Sequence, residues 1–469
     1  MNKKLFGMAM ALLLSGIEAW AQDYARYYEN LPVAMPQVST PVIPDRTVKL
    51  KDYGAVGDGV TLVTEKLQKA INDVAKQGGG HVVVEAGIWL TGPITLKDGV
   101  DLHLERNAIL AFSPDKAVAV KKDAATGEIK ERAEPGISAS KRHDISISGE
   151  GTIDGNGEWW RPVKRGKVSD VEWKDYNDMG GTVADNGQLW YPFKLHHFDD
   201  IASTAEVQER MRAHLIRLTE CERVRISGVT VQNSPRFHIV PQRCKDVVID
   251  GVTVRCPWNA QNGDAIDIGN CKNVLIVNNV IDAGDDGICM KGGAGAAGEK
   301  SGPCENILIQ DNTVYHAHGG FVIGSEFSGG MKNIVVRRCL FSGTDTGLRF
   351  KSAIGRGGKT ENIHISDITM SDIRGEAIIF ETTYWDNHVG AKKDDSKKKL
   401  EYVPDFDDIH ISNIVCRGCK TAIAAHGEEG MIHDITVQDA IFFYTKNGTD
   451  IDAACGVTMK NVRLETFEK

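Results

Sequence analysis

Three segments decide how this chain folds: Cys244-Lys-Asp-Val-Val-Ile249, Cys271-Lys-Asn-Val-Leu-Ile276 and Cys304-Glu-Asn-Ile-Leu-Ile309. Each opens on Cys and places β-branched residues three and five positions later. The pattern continues on both sides. Arg142-His-Asp-Ile-Ser-Ile147 and Cys221-Glu-Arg-Val-Arg-Ile226 come before it. Met331-Lys-Asn-Ile-Val-Val336, Thr360-Glu-Asn-Ile-His-Ile365, Phe406-Asp-Asp-Ile-His-Ile411 and Ile432-His-Asp-Ile-Thr-Val437 come after. From Cys221 to Thr360 the copies are 23 to 33 residues apart. Alternation with period two reads as strand, not helix. A unit of this length, repeated and broken by Gly, Asn or Asp, predicts one coil of a right-handed parallel β-helix. In such a solenoid each coil hydrogen-bonds to the next and like residues stack in columns. A sandwich or propeller predicts no such column-wise repetition of Cys, Asn and Ile.

The ends and interruptions of the repeat follow from the same reading. A helical pattern over Thr64–Lys76, then Gly78-Gly-Gly80 and a β run at 81–84, predicts a helix that plugs the open end of the solenoid, as repeat folds require. Three gaps exceed one coil, at about 110–140, 155–213 and 383–404. The last holds the charge run 392–399, a solvated loop tip. The largest holds Trp159, Trp160, Trp173, Tyr176, Trp190, Tyr191 and Phe193. Those rings could wall a sugar-binding groove, or simply pack the loop.

Residues 1–21 read as an export signal: Lys3 and Lys4, an apolar run at 5–17, and the small-residue pattern Ala19-Trp20-Ala21. Residues 22–46 form an extension, and 47–469 the β-helix domain. No other segment is long and apolar enough to span a bilayer, so an exported protein, periplasmic or extracellular and monomeric, is expected. A net charge of -9 argues against nucleic acid as a partner. The 49 Gly and few aromatics suit short strands and turns. Of the ten Cys, Cys221, Cys244, Cys271 and Cys304 are expected to stack as inward-facing free thiols. Cys416 and Cys419 are the best candidates for a disulfide.

Registering the second strand of each coil by its apolar pair exposes a site. Phe237/Ile239, Ile266/Ile268, Ile288/Met290, Phe321/Ile323, Leu348/Phe350 and Ile378/Phe380 align. Asp264 then stacks on Asp286, Asp285 on His318, Lys291 on Lys351 two coils apart, and Arg349 on Asp267. Clustered carboxylates hold one another's pKa apart, so that one stays protonated while another stays ionised. Glycosidic hydrolysis needs that pairing, an acid for the leaving oxygen and a base for water. Arg and Lys beside the acids suit a uronate carboxylate. Asp285 and Asp286 are adjacent, so both reach the groove only if the chain turns there, as Gly284 permits.

At these residues the sequence resembles glycoside hydrolase family 28, the polygalacturonase family, whose motifs Asn-Thr-Asp, Asp-Asp, Gly-His-Gly and Arg-x-Lys occur in this order. Here stand Asn262-Gly-Asp264, Asp285-Asp286, His318-Gly319 after Ala317, and Arg349-Phe-Lys351. The leader Asp52-Tyr-Gly-Ala-Val-Gly-Asp-Gly59 is similar to that of many pectin-degrading β-helix proteins. The resemblance implies Asp285 as general acid, Asp264 and Asp286 as holders of the attacking water, and His318 tuning Asp285. It implies Arg349 and Lys351 as uronate ligands, with Asn262, His238 and Lys291 as further substrate-binding candidates. It also implies inversion without metal or organic cofactor. The departures are Gly263 for Thr and Ala317 for Gly. The expected substrate is pectin or an oligogalacturonide with α-1,4-linked galacturonic acid, cut in exo rather than endo mode. Rhamnogalacturonan or xylogalacturonan is the alternative. A calcium-dependent pectate lyase and a non-catalytic glycan-binding β-helix are the competing classes.

Overall fold

The computed structural model describes residues 24–120, 133–184, 186–192, 205–384 and 401–467. The export signal, Phe193 and the charge run 392–399 lie outside these residues.

The repeat folds as one turn per copy of a right-handed parallel β-helix. Val224, Val247, Val274, Ile307, Ile334, Ile363, Ile409 and Ile435 follow one another in register through consecutive parallel pairings. Their side chains face inward and are buried, as period-two alternation requires. Aromatics continue the interior stack toward the C-terminus, with the Phe350 and Phe380 rings 4.3 Å apart and nearly parallel.

The third position of the repeat explains its chemistry. Asp144, Arg223, Asp246, Asn273, Asn306, Asn333, Asn362, Asp408 and Asp434 all adopt left-handed backbone, φ between 51° and 58°. Asn and Asp tolerate that region best among residues with a side chain. Stacked at one-coil spacing, they also bond to each other: Asn362 donates to Asn333, Asn333 to Asn306 and Asn306 to Asn273.

All ten cysteines are free. The Cys221 amide donates to the Cys244 sulfur at 3.4 Å, and the Cys244 amide to the Cys271 sulfur at 3.3 Å. The ladder thus satisfies buried backbone donors as well as filling space. Cys416 and Cys419 are buried thiols on one strand, Ile409–His426, not a disulfide.

The helix Thr64–Lys76 forms where the pattern placed it and buries Leu67, Ala70, Ile71 and Val74 over the end of the solenoid. The extension adds something not anticipated. Tyr24, Tyr27 and Val38 lie on an outward column made apolar by Val248, Leu275, Leu308 and Val335. Arg337 fastens this strap, donating to the carbonyls of Tyr27 and Glu29 at 3.0 Å each.

Within the 155–213 insertion, strands Val163–Lys164, Thr182–Val183 and Leu189–Tyr191 form a small antiparallel sheet beside the helices Asp170–Asp178 and Ala205–Met211. Trp160, Trp190 and Tyr191 are buried within this subassembly. None of its described aromatics lines the basin described below, and Trp159 is exposed. No described helix is long and apolar enough to cross a membrane.

Candidate active site

The columns of candidate residues sit just before and within four stacked strands: Ile266–Gly269, Ile288–Lys291, Gly319–Gly324 and Thr346–Lys351. The register expected from the apolar pairs is the one observed. Ile266 pairs with Ile288 and Ile288 with Phe321. The Ala265 amide donates to the Asp286 carbonyl, and the His318 amide to the Asp285 carbonyl. Asp264 therefore stands over Asp286, and Asp285 over His318. Lys291, Gly324 and Lys351 form one column, and Asp267, Cys289, Val322 and Arg349 another.

The chain bends at 284–285, before the strand begins, and both Asp285 and Asp286 line the same basin. Gly284 is required there for close approach rather than for an unusual φ. A Cβ would lie 2.5 Å from the Pro257 carbonyl and 2.6 Å from that of Ala260. Gly263 answers the same need, since a Cβ would meet Ala260 and the Cys256 sulfur at 3.1 Å.

The basin holds about 430 Å³, within the usual range of small-molecule sites. Asp264, Asp285, Asp286, His318, Lys291, Lys351 and Asn262 line it, together with Phe237, Arg217 and Tyr384. Lys164 and Glu209 of the insertion line it as well. Arg349 stands at its edge, 3.5 Å from Asp286, with its guanidinium 5.3 Å from the Tyr384 ring centre.

Charge is distributed unevenly over the acids. Burial pushes Asp286 up, but Lys351 at 2.7 Å and Arg349 hold it below the usual carboxylate range. Asp264 has no such partner. Burial and the neighbouring Asp285, Asp267 and Asp286 push it well up. Within this column, protonation is thus favoured at Asp264 and ionisation at Asp286. Burial also raises Asp285, yet His318 at 2.9 Å, with Lys351 and Lys167, outweighs it and holds the group low. Neither Asp264 Oδ1 nor Asp286 Oδ1 has a hydrogen-bond partner in the protein, so both can accept from a bound water.

His238 does not belong to the substrate surface. It is fully enclosed, accepting at Nε2 from the Ser234 amide, with Nδ1 2.8 Å from the Asp264 carbonyl. Burial lowers its pKa to about 4. It shapes the backbone of Asp264 from inside, and its neighbour Phe237 is the residue that faces the basin. Asn262 lines the basin but is held by Arg212, which donates to its Oδ1 at 2.9 Å. Lys291 donates to the Gly324 carbonyl at 2.8 Å.

Two residues were not singled out from the sequence. Asp267 is buried in the lining of the basin with both carboxylate oxygens lacking a hydrogen bond, and burial raises it to about 7. Its place in the Arg349 column was the available signal. Lys167 reaches His318 from the insertion, 3.2 Å from Nε2, and no repeat could have announced it.

Residues 167–466 match the family model of the glycosyl hydrolases family 28. The chain belongs to this family. Among family 28 relatives, an exo-poly-alpha-D-galacturonosidase of Dickeya chrysanthemi is 29% identical over 75% of this chain and 59% of its own length. A probable polygalacturonase of Vitis vinifera is 29% identical over 70% of this chain and 61% of its own. The chain thus spans less than two thirds of these two relatives. A hyperthermoactive exopolygalacturonase from Thermotoga maritima superposes with a TM-score of 0.72 at 30% identity, covering 92% of this chain and 94% of the other.

Proposed function

We propose that this family 28 protein hydrolyses α-1,4-linked galacturonic acid from the end of pectic chains. The observation that carries the reading is the convergence of Arg349 and Lys351 on a basin floored by Asp264, Asp285 and Asp286. A uronate carboxylate would take the two cations as its ligands, with Arg349 offering a planar fork. Asp285 then gives its proton to the leaving oxygen. Water held between Asp264 and Asp286 attacks the anomeric carbon and loses its proton to that pair.

Resting Asp285 is held ionised, which at first sight disqualifies it as the acid. The anionic substrate supplies the remedy. A carboxylate brought beside Lys351 and Arg349 offsets their field and raises Asp285 toward its protonated form.

Stereochemistry needs the third acid. Ligand atoms of Asp285, Asp286 and His318 lie within 4.8 Å of one another, a closeness associated with retention when two carboxylates act alone. Asp264, one coil away in the column of Asp286, gives water a second acceptor and supports single displacement with inversion.

Exo action is supported by the insertion's part in the basin wall, to which it contributes Lys164 and Glu209. The relatives named for exo cleavage agree with it. A calcium-dependent lyase is disfavoured because Asp286 is already paired to Lys351, and a cation would have to enter a site crowded with Lys and Arg. Export rests on the sequence of residues 1–21 alone, and action as a monomer on no contrary observation.

The test is a time course on polygalacturonic acid with chelator present. Saturated monogalacturonate from the first sample supports exo hydrolysis. Mixed saturated oligomers would replace exo by endo, and products only from rhamnogalacturonan or xylogalacturonan would change the substrate.

A further inference from the structure

Lys167 lies in the short turn Arg165–Lys167, which the repeat does not predict and the insertion builds. The turn is anchored where it begins. The Arg165 amide donates to the Gln188 carbonyl, and Val163 bridges to Ala260 in the loop preceding Asp264. From there the Lys167 side chain crosses to the catalytic pair. Its Nζ donates to the carbonyls of Trp258 at 3.2 Å and Gly284 at 3.1 Å. The third contact is His318 Nε2, at 3.2 Å.

An ammonium has three N–H donors and no acceptor. Two go to carbonyls, which can only accept. The third therefore meets a nitrogen that must offer a lone pair, since an Nε2–H facing it would set donor against donor. With Nε2 accepting, the ring is neutral and its one proton sits on Nδ1, 2.9 Å from Asp285 Oδ1. We propose that Lys167 is a positioning residue of the catalytic pair, holding His318 in its neutral Nδ1–H form so that the ring cannot take the proton Asp285 needs.

The proton path is then unambiguous. Asp285 protonates the glycosidic oxygen as its bond to the anomeric carbon breaks, water held by Asp264 and Asp286 supplies the new C–O bond and gives one proton to the ionised Asp286, and His318 is unchanged. The charged groups facing the ring are Asp285, Asp345 at 3.8 Å from Nε2, and Lys167 itself. Those facing Lys167 are Lys164, Asp285 and Asp345, with the Cys256 thiol. Burial lowers the Lys167 pKa, and the two carboxylates oppose it by favouring the charged form. They would equally favour an imidazolium if Lys167 were gone. A charged ring is also the leading influence opposing burial at Asp285, so a neutral one relieves the acid.

The inference rests on Asp285 being the acid of the proposed hydrolysis, but its readout does not require turnover. In enzyme labelled with [15N]histidine, His318 is assigned as the signal lost in His318→Gln. The wild type should show a protonated Nδ1 and an unprotonated Nε2 throughout the active pH range. Lys167→Met should turn the ring into an imidazolium at the same pH, and lower kcat on the order of a hundredfold with little change in KM. Lys167→Arg, which keeps charge and donors, should restore both. An imidazolium in the wild type at its pH of greatest activity would overturn the inference. So would a folded Lys167→Met enzyme whose ring signals and kcat–pH profile match the wild type. If the ring responds as expected while the wild type releases nothing from galacturonan, the positioning role stands and the proposed reaction falls.

Discussion

Asp285 and Asp267 show how far single residues were legible. Asp264, Asp285, Asp286, His318, Arg349 and Lys351 could be grouped from sequence because a β-helix converts an alignment of coils into proximity in space. The same logic, carried one residue further, would have excluded His238. It occupies the column of Ala265, an interior position, while Phe237 occupies that of Asp264. Asp285→Asn keeps shape and removes the proton, so turnover should fall by roughly 10²–10⁴ or more with an unchanged melting temperature. Reducing-end assays and calorimetry on the same preparation check both halves. Asp267 makes a prediction about stability. Its pKa is raised to about 7 by burial, so above its unfolded value the folded state binds the extra proton and stability falls as pH rises toward 7. Asp267→Asn removes that penalty. Thermal melts should show the variant gaining on the wild type at pH 8 and not at pH 4, and a uniform loss at both would contradict this.

At the level of elements, the repeat legibly set the strands, the capping helix and the thiol ladder, because inward positions tolerate little variation. The strap was not legible. Its partners Val248, Leu275, Leu308 and Val335 sit on the outer face, where alternation predicts polar residues, and four apolar exceptions one coil apart look unremarkable in each coil alone. Nor was the insertion's structure, since it follows no repeat and has no column to inherit. The strap's dependence on Arg337 is testable. Arg337→Ala removes charge-assisted bonds worth roughly 1.5–3 kcal/mol each and should open residues 24–38 to limited proteolysis. Activity should persist, because no strap residue lines the basin. A strap that stays protected in this variant would mean that its apolar contacts suffice.

For the whole molecule, electrostatics links substrate binding to the chemical step. Free enzyme holds Asp285 low through the hydrogen bond from His318 and through Lys351 and Lys167, whereas in the proposed complex a bound uronate would add a negative charge beside Lys351 and raise it. The alkaline limb of kcat, which reports the complex, should therefore lie at higher pH than that of kcat/KM, which reports free enzyme. Profiles measured on an oligogalacturonide check this, and coincident limbs would show that the substrate charge does not reach the acid. The central claim is that two carboxylates from neighbouring coils deliver one water opposite the leaving group in a single displacement. Proton NMR of the first-formed product, recorded before mutarotation, tests it most directly. Release of the β-anomer of galacturonic acid from the α-linked chain is the predicted result; initial release of the α-anomer would contradict it and make a carboxylate the nucleophile.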